Sequence, residues 1–128
     1  MGGKGNAADV FSAIEAVIQD SNWRQYFENF ASPYYFYSPD EYEAWLLENG
    51  FLLQRMELVA KDMRHRGAEG LAGWLRTTWF PYTDCLPEEF RDAFLAEVVK
   101  TYTSAFSIDA SGNSHVKIQR LEVEALAL

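Results

Sequence analysis

Only two stretches of this chain alternate apolar and polar residues as a β-strand does, Phe51–Ala60 and His115–Leu126. That shortage constrains the fold more than any other feature. A lone strand leaves its backbone N–H and C=O groups unpaired along both edges, so two candidates with no others available are expected to pair with each other. Both stretches also change phase midway. Phe51 and Leu53 share one phase while Met56, Leu58 and Ala60 share the other, and Val116 and Ile118 give way to Leu121, Val123 and Ala125 in the same manner. Side chains alternate between faces with a period of two, so such a shift marks a bulge, or a strand whose two faces are buried at different ends. The matching defects predict an antiparallel pair.

The remaining apolar sequence has helical spacing. After MGGKG, Asn6 offers an N-cap, and Val10, Phe11, Ile14, Val17 and Ile18 line one face of a helix expected over Ala7–Gln19. Asn22–Tyr37 is dense in aromatic rings. Pro33 breaks any helix begun near Trp23, so the FASPYYFYSP segment reads as an extended connection. The sharpest helix start is Ser38-Pro39-Asp40-Glu41, a capping box with proline at the first helical position. Tyr42, Trp45 and Leu46 are its expected buried face and Gly50 its stop. Lys61–Gly67 is polar and reads as a loop. Two further helices are expected: one over about Ala68–Trp79, ended by Pro81, and one from near Pro87. The apolar face of the second is Phe90, Phe94, Leu95, Val98, Tyr102 and Phe106, with Glu88 and Glu89 at the positive end of its dipole. Asp109–Ser114 is a turn by composition. The predicted fold class is α+β, about four helices with an antiparallel strand pair, in a single domain spanning residues 1–128.

A chain of 128 residues, 48% of them hydrophobic, is long enough to bury a core without disulfides or metals. The single cysteine, Cys85, allows no internal disulfide and points to a reducing compartment. No apolar run is long enough to span a bilayer, and Met1–Asp9 lacks a signal-peptide core, so the expectation is a cytoplasmic protein with no membrane partner. With 19 acidic against 11 basic residues, the net charge of -8 repels polyanions and argues against nucleic acid as a partner.

Few residues invite chemistry. His65 and His115 lie far apart and Cys85 stands alone, so no metal-ligand spacing occurs. Asp40, Glu41, Glu88 and Glu89 sit in first helical turns, where capping accounts for them. Cys85 has no adjacent histidine, and no Gly-x-Ser-x-Gly elbow is present. GGKGN matches neither nucleotide-binding glycine pattern. No catalytic, cofactor or metal residue is assigned on these grounds. Candidates for a small-molecule pocket are Arg64, Trp74, Arg76 and Tyr34. Arg64 belongs to a basic Arg64-His65-Arg66 cluster that suits a carboxylate clamp, and Trp74 and Trp79 flank Arg76 in sequence as the walls of a pocket would. A solvated loop and ordinary core packing account for the same residues.

Read in order, GGKGN, SPYYFYSPDEYEAWLLENGF, GLAGWLRTTWF, LPEEFRDAFL and IQRLEVEAL resemble the C-terminal part of class I S-adenosylmethionine-dependent methyltransferases, nearest to the trans-aconitate methyltransferase-like group. In that family a GGxGN segment follows the fifth sheet strand. A P-s-x-x-e-y-x-x-x-L-x-x-x-G-F segment leads into the sixth, and an R-L strand closes the sheet. Ser38, Pro39, Tyr42, Leu46, Gly50 and Phe51 match the middle segment, Arg120 and Leu121 the last, and Gly73, Trp74, Leu75 and Arg76 a helix that helps cover the substrate. The resemblance spans essentially the whole chain but only the last part of the family's Rossmann-like fold.

The family's cofactor-binding loops precede this part, so the resemblance implies no S-adenosylmethionine binding by this chain alone. It implies a non-catalytic, lid-like fragment that oligomerises and offers a small-molecule pocket, for a carboxylate or aromatic ligand, from its lid helices. The alternative is the substrate lid of a split or truncated methyltransferase, active only with a cofactor-binding part. Because the family's fifth strand would flank the closing strand, the 115–126 edge is expected to be open and to join a second copy in a homodimer or a complementing subunit.

Overall fold

The computed structural model describes all residues, Met1–Leu128. Its two strands, β1 (Phe51–Arg66) and β2 (Asn113–Ala127), form the expected antiparallel sheet. Gly67 N–H donates to Gly112 O (2.8 Å) at one end and Leu128 N–H to Gly50 O (2.9 Å) at the other. The 16 residues of β1 therefore oppose the 15 of β2, and the surplus residue is a bulge. Counted from Gly67, Arg55 falls opposite Glu124; counted from Gly50, it falls opposite Val123. Arg55 pairs with Glu124 (3.2 Å) and Glu122 (3.2 Å), which share one face, so the bulge lies between Gly50 and Arg55.

The helices are α1 (Ala8–Ile18), α2 (Pro39–Glu48), α3 (Gly67–Thr78), the single turn α4 (Phe80–Thr83) and α5 (Glu88–Ala105), with a 3-10 turn at Arg24–Phe27. The fold is α+β. No helix is long and apolar enough to cross a membrane.

The chain forms two compact units. The helical unit is Asp9–Tyr34 with Met63–Val116, and the ribbon unit is Met1–Ala8, Tyr35–Asp62 and Lys117–Leu128. In the helical unit α3 packs on α4 and α5. Val10, Ile14, Leu71, Leu75, Phe94 and Val98 are sealed from solvent there. Each such side chain contributes about 1.5–3 kcal/mol by leaving water. Phe90 and Phe106, expected on the apolar face of α5, stay exposed at its two ends. Pro81 does follow the end of α3, but it also opens α4, a turn the sequence reading missed.

The polar run Lys61–Gly67 is not a loop. Met63 and His65, half-buried, alternate with exposed Arg64 and Arg66, which continues β1 to Arg66. Gly67, at φ 62°, then turns the chain into α3. The phase change in β2 follows its burial, whereas in β1 Phe51, Leu58 and Ala60, expected on buried faces, stay exposed. Within the helical unit the buried residues of β2 are Ser114 and Val116, at even positions; within the ribbon unit the buried one is Leu121, at an odd position.

The ribbon unit is held by main-chain bonds more than by a core. Ser38 and Glu41 form the predicted capping box, with Glu41 N–H donating to Ser38 Oγ (3.3 Å) and Ser38 N–H to Glu41 Oε2 (2.8 Å). Yet α2 buries none of its residues: Tyr42 and Leu46 are half-buried and Trp45, expected inside, is exposed. The open edge expected for β2 is also partly filled. Leu121 N–H donates to Met1 O (2.8 Å), Gly3 N–H to Gln119 O (2.8 Å) and Ala7 N–H to Lys117 O (3.2 Å), while Asn6 accepts from Gln119 N–H through its side-chain oxygen (2.9 Å). On its other side Lys4 N–H donates to Tyr37 O (3.0 Å). A Cβ on Gly3 would lie 2.4 Å from Leu58 Cδ1 and 3.1 Å from Leu121 Cβ, so a side chain there would have to displace the exposed Leu58 tip and press on Leu121. The β2 edge beyond Leu121 and the outer edge of β1 are left without a partner segment.

Candidate functional site

The four residues singled out from sequence fall into three places. Tyr34 and Trp74 come together on Trp79, with ring centroids 5.6 and 5.9 Å from it, and Phe11 approaches the same indole at 4.5 Å. The Tyr34 hydroxyl donates to Thr78 O (2.7 Å), and burial pushes its pKa up, so it stays a phenol. Trp79 is almost wholly buried. These rings form a wall of the helical core.

Arg76 does not join them. Two positions along a helix turn a side chain by about 200°, so Trp74 and Arg76 project from different sides of α3. Trp74 meets the His65 ring at 5.2 Å, whereas Arg76 is exposed and pairs with Asp92 on α5 (3.3 Å). Arg64 stands exposed on β1, and its neighbour His65 turns inward, where burial lowers the imidazole pKa. Alternation along the strand thus separates the members of the basic cluster, and no three-residue clamp forms.

The cleft that does carry charge lies among α3, α4 and α5. It encloses about 340 Å³ and is lined by Arg76, Phe80, Thr83, Asp84, Glu88, Arg91, Asp92 and Leu95. Arg91 donates through Nε to Leu86 O (3.2 Å) and lies 4.0 Å from Asp84. Phe80 exposes more than half its surface at this cleft. Two guanidiniums beside three carboxylates disfavour a bare polyanion, and Arg76 and Arg91 already face Asp92 and Asp84. Sequence reasoning found Arg76 and missed the rest. The available signal was the i, i+3, i+4, i+7 spacing of Glu88, Arg91, Asp92 and Leu95, which places all four on one face of α5.

Other reactive types are accounted for structurally. Cys85 is half-buried, its Sγ is 3.5 Å from Pro81 O, and burial raises its pKa, so it is held as a thiol. His115 Nε2 lies 2.6 Å from Asp109 Oδ2, and this bond holds the Asp109 carboxyl below its usual range. No three His, Cys, Asp or Glu side chains gather closely enough to share a metal ion. The glycine segment is not arranged as a cofactor cradle either. The N–H groups of Gly3, Lys4, Asn6, Ala7 and Ala8 all donate to backbone carbonyls, which leaves none of them turned toward a ligand. No protein-family model matches the chain, and no curated protein matches it.

Proposed function

We propose that residues 1–128 are the substrate-covering part of an S-adenosylmethionine methyltransferase-type fold and do not themselves transfer a methyl group. The observation that carries this reading is the setting of the glycine segment. Gly2 pairs antiparallel with Arg120 on β2, while β1 pairs with β2 as the other member of the sheet. In the resembled family the glycine segment follows the fifth strand and the closing strand lies antiparallel between the fifth and sixth, so a glycine segment bridged to the closing strand supports this reading. It favours the lid reading over an oligomerising fragment, because Met1–Ala7 already occupies the β2 edge over 117–121 and leaves less of it for a second copy.

In this reading the cofactor is bound by residues outside Met1–Leu128, and the Arg76–Arg91 cleft takes a small carboxylate substrate. The remaining β2 edge, Glu122–Ala127, is the place where a second copy or a cofactor-binding subunit adds a strand. The test is a chimera in which residues 1–128 replace everything after the fifth strand of a trans-aconitate methyltransferase-like enzyme. The expected chimera folds and binds S-adenosylmethionine as its host does, whereas the isolated chain gives no heat with that cofactor. A chimera unable to fold, or saturable cofactor binding by the isolated chain, overturns the reading.

A further inference from the structure

The ribbon unit displays the side chains that a helix and a sheet ordinarily hide. Tyr35, Tyr37, Trp45 and Leu47 are exposed on α2 and the segment entering it. Trp45 and Tyr37 meet edge to face, with centroids 4.7 Å apart and planes at 84°. In such a pair the ring that offers its edge keeps both of its faces clear of the other. Their exposures of 41% and 37% leave π surface in contact with water.

The charges on α2 itself have one sign. Asp40, Glu41, Glu43 and Glu48 are exposed on the same helix, and no lysine or arginine occurs from Gln25 through Gln54. Lys4 is the cation whose field reaches Glu41, and Glu41 is otherwise held by Ser38. Aromatic faces beside carboxylates attract guanidinium and ammonium groups, and Glu41 and Glu48, four positions before Trp45 and three after it, lie on the Trp45 side of α2. A second copy would set four carboxylates against four, and a nucleic acid would bring phosphates to them.

We infer that α2 and its entering segment form a docking surface for a protein segment that carries Lys or Arg among apolar residues. The inference is independent of the methyltransferase reading, since it uses no residue of the α3–α5 cleft.

The test titrates the full chain with a helical peptide of Arg, Leu and Ala, and with the same peptide bearing Glu at every Arg position. Binding of the Arg peptide alone is expected. Trp45→Ser, and separately the triple change Asp40→Asn, Glu43→Gln, Glu48→Gln, should each weaken it about tenfold or more. A control of equal charge change in the helical unit, Glu15→Gln, Glu28→Gln, Glu69→Gln, should leave it unaltered. No binding of the Arg peptide, equal binding of both peptides, or equal loss in the control overturns the inference. So does self-association in sedimentation that Trp45→Ser abolishes, because the occupant is then a second copy.

Discussion

In the helical unit Phe94, Leu71 and Ile14 are shut away from water, whereas in the ribbon unit Tyr37, Trp45, Leu47 and Leu52 stand in it. Ala7 and Leu121 are the buried apolar side chains of the ribbon unit; the remainder of the buried set belongs to the helical unit. The difference comes from the amount of surface each can enclose. Apolar faces of α1, α3, α4 and α5 and one end of β2 supply layers that cover a shared interior. Two strands and one short helix have too few layers to do so, and a two-stranded sheet by itself is marginal in water. The ribbon unit compensates with backbone hydrogen bonds to Met1–Ala7 and with the Arg55–Glu122–Glu124 ion pairs on its surface.

The comparison can be broken by substitutions of decreasing expected effect. Phe94→Ala removes a ring that packs edge-on against Trp23 (5.5 Å) and tilted against Phe27 (5.4 Å), and should cost about 3–5 kcal/mol in urea unfolding. Leu121→Ala should cost about 2–3 kcal/mol, at the low end for leucine, because thin surroundings collapse more readily around the gap. If Leu121→Ala proves the more damaging of the two, the ribbon unit has a core that burial does not reveal. Asn6→Ala strands the Gln119 N–H and should cost about 1–2 kcal/mol by the same measurement.

Ser38→Ala removes the α2 cap and should cost about 1 kcal/mol, read as a fall in melting temperature. It also carries a pH signature. Ser38 hydrogen bonds hold the Glu41 carboxyl below its ordinary value of 4.5, so the stabilisation is complete above that value and is lost as pH falls through the depressed one. The variant keeps the main-chain donor, the larger cause, and loses only the hydroxyl one, so it should lose slightly less stability on acidification than the parent; a Glu41→Gln variant with the parent's acid profile would remove Glu41 from the account. Trp45→Ser sits at the small end, about 0.5–1 kcal/mol, since the residue is exposed and opens no cavity but loses its edge-to-face contact with Tyr37.

The strand pair and the shift of phase in β2 were legible in the sequence because period-two alternation follows burial there; in β1 the same alternation picked out Phe51, Leu58 and Ala60, which stay exposed. The capping box was legible for a similar reason, as its four residues act locally. Trp45 was misread because hydrophobic spacing tells which residues share a face, not whether anything covers that face. Lys61–Arg66 was misread because polarity masked an alternation carried by Met63 and His65. The edge pairing of Met1–Gly3 had no readable signal, since glycines contribute no side-chain pattern. Of the candidate pocket residues, Arg76 reaches the charged cleft, while Tyr34 and Trp74 are absorbed into aromatic packing that one sequence cannot distinguish from a binding wall.

Asn6 lends a side-chain carbonyl to β2 at a point where the neighbouring backbone has turned away, with Ala7 at a φ of 50°. The protection of one main-chain proton, that of Gln119, therefore depends on a single side-chain rotamer. Its exchange with deuterated solvent becomes a local gauge of how often this margin of the ribbon opens, readable without unfolding the rest of the chain.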